Sequence, residues 1–251
     1  MADDIVITVE NVCAGYEEAV LENISFSVRR GEVFVILGGS GCGKSTLLKH
    51  MAGLTPPLAG EIRLMGDPVS GGTPADRARA LRHFGMAYQS GALFGSMTLL
   101  ENVSLPIESF TGLPSAARRL LAEMKLDLVG LKEYAGYFPS EVSGGMKKRA
   151  AIARAMALDP EILFLDEPSA GLDPVTAAGL DRLILRIRDM QGVTVVMVTH
   201  ELASIFAVAD RCVMLDKRSR GMLAAGSPAE LRDNPPCAAV RAFFNREGDG
   251  V

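Results

Sequence analysis

Apolar and polar residues alternate from Ile5 to Val9, and again at Ile24, Phe26 and Val28. A period of two predicts half-buried antiparallel strands packed beside a core sheet. From Val33 the pattern changes. Val33, Phe34, Val35, Ile36 and Leu37 form an unbroken apolar run, and after a glycine-rich stretch Thr46, Leu47, Leu48, Lys49, His50 and Met51 can continue as a helix. Residues 162–165 and 193–199 repeat the unbroken form, and Val213, Met214 and Leu215 make a shorter third run. Apolar runs followed by helical periodicity predict parallel strands joined by crossover helices. The clearest helix opens with Asp173 as cap and Pro174 at its first position. It places Leu180, Leu183, Ile184 and Ile187 on one face and ends near Gly192.

No comparable strand run lies between Ser90 and about Met156. Pro114 opens a helix whose predicted stripe is Ala117, Leu120, Leu121, Met124 and Leu128, ending at Gly130. A second helix opens at Ser143 with the stripe Met146, Ala150, Ala153 and Ala157, and Lys147, Lys148, Arg149 and Arg154 lie off that stripe. The expected organisation is an α/β core of residues 1–89 and 156–251 interrupted by a helical subdomain of residues 90–155. After Leu215 come a polar, basic turn (Lys217, Arg218, Ser219, Arg220, Gly221) and, from Pro228, two short helices separated by Pro235 and Pro236. Val240, Phe243 and Phe244 form an i, i+3, i+4 patch that can pack on this subunit or on a partner.

With 251 residues and 48% hydrophobic content the chain can bury a full core. No apolar stretch is long enough to span a bilayer, and Asp3 and Asp4 make the start acidic, so neither a signal peptide nor a membrane helix is expected and any membrane role comes through a partner. The net charge of −4, from 26 basic and 30 acidic residues, gives no broad footprint for nucleic acid. Cys13, Cys42, Cys212 and Cys237 are scattered and His50, His83 and His200 lie far apart, so neither a disulfide framework nor a zinc site is suggested.

Residues 38–45 carry the first chemistry. Gly38, Gly39, Ser40, Gly41, Cys42, Gly43, Lys44 and Ser45 complete the pattern G-x-x-x-x-G-K-[ST] between a strand and a helix. The glycines let successive N–H groups point inward and the helix start adds partial positive charge. Lys44 reaches outer phosphates and Ser45 offers an oxygen to magnesium. Such a nest suits a nucleoside triphosphate. Cys42 beside Lys44 and a helix start is either a reactive thiol of lowered pKa or a buried inert one. Four apolar residues then lead to Asp166 and Glu167. A carboxylate at the tip of a buried strand beside such a loop can hold magnesium, and the next one can orient an attacking water. At Ser143, Gly144 and Gly145 a serine cap and two glycines make a second helix end ready for phosphate, one the first loop does not need.

The order of these motifs resembles the nucleotide-binding subunits of ABC (ATP-binding cassette) transporters over essentially the whole chain. The phosphate loop runs to Thr46, Gln89 follows a strand, Val-Ser-Gly-Gly-Met fills 142–146 and Leu-Asp-Glu 165–167. Ser-Ala-Gly-Leu-Asp fills 169–173, and His200 follows a strand. The resemblance implies a P-loop NTPase (RecA-like) core with N-terminal antiparallel strands and an inserted helical subdomain. It implies ATP and Mg2+ as ligands, with Tyr16 stacking on adenine and Gln89 sensing magnesium and the attacking water. Ser45 and Asp166 would hold the metal, Glu167 would be the catalytic base, and His200 would touch the γ-phosphate. It also implies a head-to-tail dimer in which Ser143, Gly144 and Gly145 of one copy face the nucleotide of the other and Asp173 lies on the contact. The family's usual Leu-Ser-Gly-Gly-Gln differs here at Val142 and at Met146, a thioether that cannot donate a hydrogen bond.

Ser-Gly-Gly-Met together with Gln89, Ser90, Gly91, Ala92, Leu93 and Phe94, and the tail through Asn234, Pro235, Val240 and Phe244, resembles the ATPases of Mla-type (maintenance of lipid asymmetry) phospholipid transporters. That implies a membrane permease, a lipid-binding protein of the Mce type, a small accessory protein and a place on the cytoplasmic face of the cell membrane, without nucleic acid. Residues 91–105, with Leu93, Phe94, Leu99 and Leu100, would receive a short permease helix, some of these residues being subdomain core. A polar-solute importer ATPase is the alternative within the family, and a non-transport cassette protein is the one outside it.

Overall fold

Residues 4–245 are described in a computed structural model of the chain. The two alternating segments pair as β1 (Ile5–Gly15) and β2 (Ala19–Arg29), antiparallel, and β1 pairs on its other edge with β4 (Ala59–Leu64), which carries the short β5 (Asp67–Pro68). Ile24 and Val28 are buried as the period of two requires, and Phe26 stacks on Phe34 at 5.1 Å between ring centres. In β1 the strict alternation fails. Ile5 is exposed while Val6, Ile7 and Val9 are all buried, because the register with β2 shifts between Ile5 and Ile7 and moves Val6 onto the core face.

The second sheet has the order β10-β9-β3-β8-β7-β6. Its members are β3 (Val33–Gly38), β6 (Phe84–Ala87), β7 (Ile162–Asp166), β8 (Thr194–Val198), β9 (Arg211–Asp216) and β10 (Gly221–Gly226). All neighbours pair in parallel except β10 with β9. The apolar runs are continuous because both faces are covered. Phe34, Ile36, Phe164, Val196, Val198 and Val213 meet the first sheet and α1 (Lys44–Met51). Val33, Val35, Leu37, Leu163, Leu165, Val195 and Met197 meet the helices on the opposite face.

Those helices include α3 (Leu99–Phe110), α4 (Ser115–Leu128), α5 (Gly144–Ala155), α6 (Pro174–Gln191) and α7 (Leu202–Val208); α2 (Pro74–Ala80) follows β5. Helix α6 follows its sequence signals from end to end. Asp173 accepts from the amides of Val175 (3.1 Å) and Thr176 (3.0 Å); the Thr176 side chain first, and then these amides, hold its carboxyl below the usual range, and Gly192 ends the helix in the left-handed region at φ 66°. In α4 the expected stripe is displaced. Ala122, Lys125 and Leu126 are buried against α3 and α5, whereas Leu120 and Met124 are exposed. Lys125 belongs to the buried side because it ion-pairs with Asp159 at the end of its stem.

The tail forms α8 (Pro228–Asp233) and α9 (Ala238–Asn245). Val240 and Phe244 are buried in this chain's own core, with the Phe244 ring edge-on to Phe206 at 5.8 Å. The expected patch therefore packs on its own subunit.

Candidate functional site: a phosphate cradle at the strand tips

The tips of β3, β7 and β8 converge on one cavity of about 540 Å³, lined by Val20, Ser40, Gly41, Gly43, Lys44, Ser45, Thr46, Gln89, Glu167 and His200. The loop is built by glycine. At Gly38 (φ 147°) a Cβ would lie 2.4 Å from the Leu215 carbonyl oxygen and 2.7 Å from Cys42 Sγ, so the strand can turn there only without a side chain. Gly43 enters α1 in the left-handed region, and no side chain caps that helix start, which leaves its first amides to a ligand. Lys44 is folded over the loop, donating from Nζ to the carbonyls of Gly38 (2.9 Å) and Gly39 (3.0 Å).

Cys42 settles the choice left open by its position. It is 1% exposed, and burial pushes its thiol up, against the opposing attraction of Lys44. The thiol is a packing group in the nest, and a reactive, low-pKa cysteine is not what the loop contains.

Ser45 Oγ donates to Asp166 Oδ1 at 2.9 Å, across 121 residues of sequence. A hydroxyl and a carboxylate in contact, with the Gln89 amide nearby, form an oxygen donor set suited to magnesium. Asp166, Gln89, Tyr88, Lys148 and Gly144 line an adjoining depression. Glu167 leaves β7 at φ 47°, in the left-handed region, a strain of about 1–3 kcal/mol that collects at sites where a side chain must be aimed. Its amide donates to Val198 O at 2.9 Å, and its Oε1 accepts from His200 Nδ1 at 2.8 Å. Its Oε2 is buried with no hydrogen-bond partner among the described residues, an acceptor waiting for a proton.

The remaining predicted residues lie apart from this cavity. Tyr16, 55% exposed, stands in the turn between β1 and β2. Ser143 caps α5, accepting from the Met146 amide at 3.3 Å. Gly144 is open, but Gly145 is buried, and a Cβ there would meet Thr176 Cγ2 at 2.6 Å. Gly145 thus serves close packing of α5 on α6 as well as an open helix end.

The basic side of α5 is not simply solvated. Lys148 Nζ donates to the carbonyls of Gln89 and Glu167, and burial pulls its pKa down against the attraction of Glu167 and Asp166. Arg154 donates to Ala92 O (2.7 Å) and Gly91 O (3.0 Å). Both side chains fasten α5 to the segment that follows Gln89. Sequence reading also passed over Asn102, fully buried in α3. Its Oδ1 accepts from the Phe94 amide (2.8 Å), and its Nδ2 donates to the carbonyls of Phe94, Met97 and Thr98 at 3.0–3.1 Å. A polar residue inside an apolar helical stripe was the available signal.

Residues 21–170 match the family model described as ABC transporter. The chain is 38% identical over 232 residues to the intermembrane phospholipid transport system ATP-binding protein MlaF of Escherichia coli K12, covering 92% of this chain and 85% of that one. It is 35% identical to MlaF of Haemophilus influenzae, covering 93% and 88%. Among solved structures, a dimeric ATP-binding cassette in a post-hydrolysis state, bound to ADP and Pi, superposes with a TM-score of 0.79 at 29% identity, covering 88% of this chain and 98% of that one. The cbiO1 protein of Clostridium perfringens, part of an ABC transporter complex, superposes at 0.81 with 25% identity over 98% and 100%. A loop built to wrap phosphates, a buried carboxylate beside it and these likenesses have one reading: the chain belongs to the ABC transporter family, as an ATP-binding subunit that hydrolyses ATP with Mg2+.

Proposed function

We propose that this chain is the motor of a phospholipid transporter, working as a head-to-tail pair on a separate membrane permease at the cytoplasmic face of the cell membrane. The observation that carries the lipid assignment is the 38% identity, over 92% of the chain, to a phospholipid-transport ATP-binding protein. The absence of any membrane-crossing helix among the described residues agrees with a permease on another chain. Residues 90–155 are then the helical subdomain that meets the permease, and residues 1–89 and 156–251 the nucleotide-binding core.

The site residues divide the work. Lys44 exchanges its two loop carbonyls for the outer phosphates, neutralising charge where the leaving group forms. Glu167 Oε2, buried and unpaired, takes the proton of the water whose oxygen attacks the γ-phosphorus as the bond to the ADP oxygen breaks. His200, donating from Nδ1, holds the other Glu167 oxygen in place. Ser45, Asp166 and Gln89 would hold magnesium, which would supply charge compensation to the phosphate oxygens. Tyr16 stacks on the adenine, and Ser143, Gly144 and Gly145 of the second copy close the site from the opposite side.

The test is to purify the chain with the membrane proteins that accompany it and to measure both bound lipid and ATPase stimulation. Phospholipid in the complex and stimulation by phospholipid are expected. Stimulation by a polar solute with no bound lipid overturns the lipid assignment. DNA or a soluble assembly in place of a permease overturns transport.

A further inference from the structure

His50 is 1% exposed, near the end of α1, and both of its ring nitrogens are engaged. Nδ1 lies 2.8 Å from the Thr55 carbonyl oxygen, and Nε2 lies 3.1 Å from the amide nitrogen of Gly15. The partners fix the tautomer. A carbonyl only accepts, so Nδ1 carries the hydrogen; a backbone N–H only donates, so Nε2 presents a lone pair. The ring is therefore held at two points. Gly15 itself is buried at the end of β1, immediately before Tyr16, and has no room for a side chain, since a Cβ would fall 2.0 Å from Glu18 O. The Tyr16 ring centre is 6.3 Å from that of His50. On the far side of the same turn, Val20 lines the nucleotide cavity and packs where a Cβ on Gly43 would stand.

We propose that His50 is a positioning residue for the nucleotide base: it ties the turn carrying Tyr16 to the phosphate-loop helix, so that base recognition and phosphate recognition share one rigid frame. The inference rests on Tyr16 meeting the adenine. The phosphate nest is formed by residues 38–45 without help from this contact, whereas Gly15 has its amide satisfied by His50. Removing the imidazole acceptor frees the turn and leaves a buried donor unpaired. The loss falls on the part of the ligand that Tyr16 touches.

The experiment compares binding of Mg-ATP and of magnesium tripolyphosphate, which has the phosphates but no base, to the full chain. His50→Leu should weaken ATP about tenfold, the scale of one buried N–H left without an acceptor, and tripolyphosphate by less than about twofold. His50→Gln, whose amide can donate to Thr55 and accept from Gly15, should restore ATP affinity even if the leucine variant folds poorly. Tyr16→Ala should show the same base-dependent loss, and the double variant should lose no more than either single one. Equal weakening of both ligands, or of neither, in the His50 variants overturns the inference. If Tyr16→Ala shows the base-dependent loss and His50→Leu does not, the inference fails alone; if Tyr16→Ala shows none, the reading of Tyr16 fails and takes the inference with it.

Discussion

The strand tips of the parallel sheet and the helical segment from Leu99 to Ala155 solve opposite problems. At the tips Lys44 and Ser45 on the start of α1, Asp166 and Glu167 at the end of β7 and His200 after β8 already touch one another or the loop. The helical segment and the loop that leads into it hold apolar surface outward: Phe94 in the loop is 51% exposed, Phe110 76% and Leu120 59%. Its one deeply buried amide, Asn102, does not face the cavity but shapes the loop that displays Phe94. The side chains around the phosphate loop meet within one chain, whereas the apolar surface of the helical segment is the one proposed for the permease.

The largest effects should come from the tips. Lys44→Ala should abolish measurable ATP binding in equilibrium titration. Glu167→Gln should keep ATP affinity while turnover falls by about 10²–10⁴, because an amide cannot accept the proton. A Glu167→Gln chain with near-normal turnover would take the role of base from Glu167, turn attention to His200 and to water positioning by Gln89, and blur the contrast between the regions.

Next comes the seam between them. Asn102→Leu strips four hydrogen bonds from the 94–98 loop, and unfolding in urea should report a loss of about 1–3 kcal/mol, the cost of buried groups left unpaired. ATP affinity of the isolated chain should hold within about twofold, and equal loss of both would erase the separation. Phe94→Asp should leave folding and ATP binding of the isolated chain intact while co-purification with the permease falls. Unchanged co-purification would leave Phe94 without its role as a docking anchor.

The smallest effect concerns Asp181, buried between α6 and α7 with Ser204 donating to it at 2.9 Å. Burial first, and then Glu201, raises its pKa, against the Ser204 bond and Arg182. A folded value above the unfolded one means that its contribution is fully present below the ordinary carboxylate range and is lost as pH rises through the folded value. Asp181→Asn, neutral throughout, should gain on the parent in Tm by about 2–4 °C between about pH 4 and pH 8. A constant difference across that range would remove the buried charge as its cause.

Legibility followed the same division. The runs at Val33, Ile162 and Val193 could be read because strands covered on both faces tolerate little but apolar side chains. The loop, Asp166, Glu167 and His200 could be placed because their spacing is tied to those strand ends. Strand β6 was legible only through the resemblance, which put a strand before Gln89: it is four residues long and contains Gly85, where a Cβ would meet Ala155 O at 1.9 Å, so its sequence answers to the close approach of α5. Ile5 was misassigned because a shift in register leaves no mark on a pattern of period two. Lys148, Arg154 and His50 were hidden for another reason. Each bonds main-chain groups, and any sequence supplies a carbonyl or an amide.

Lys148 has a mechanical consequence. One ammonium on α5 grips the carbonyls of Gln89 and Glu167, which belong to segments following different strands. A lysine ammonium is a compact charge with three rotatable donors, so it can give up one pair of oxygens for another. The helix that presents Ser143 is therefore latched to the backbone of Glu167. Swinging it against the core should proceed in clicks, each set by where that single side chain finds its next pair of oxygens.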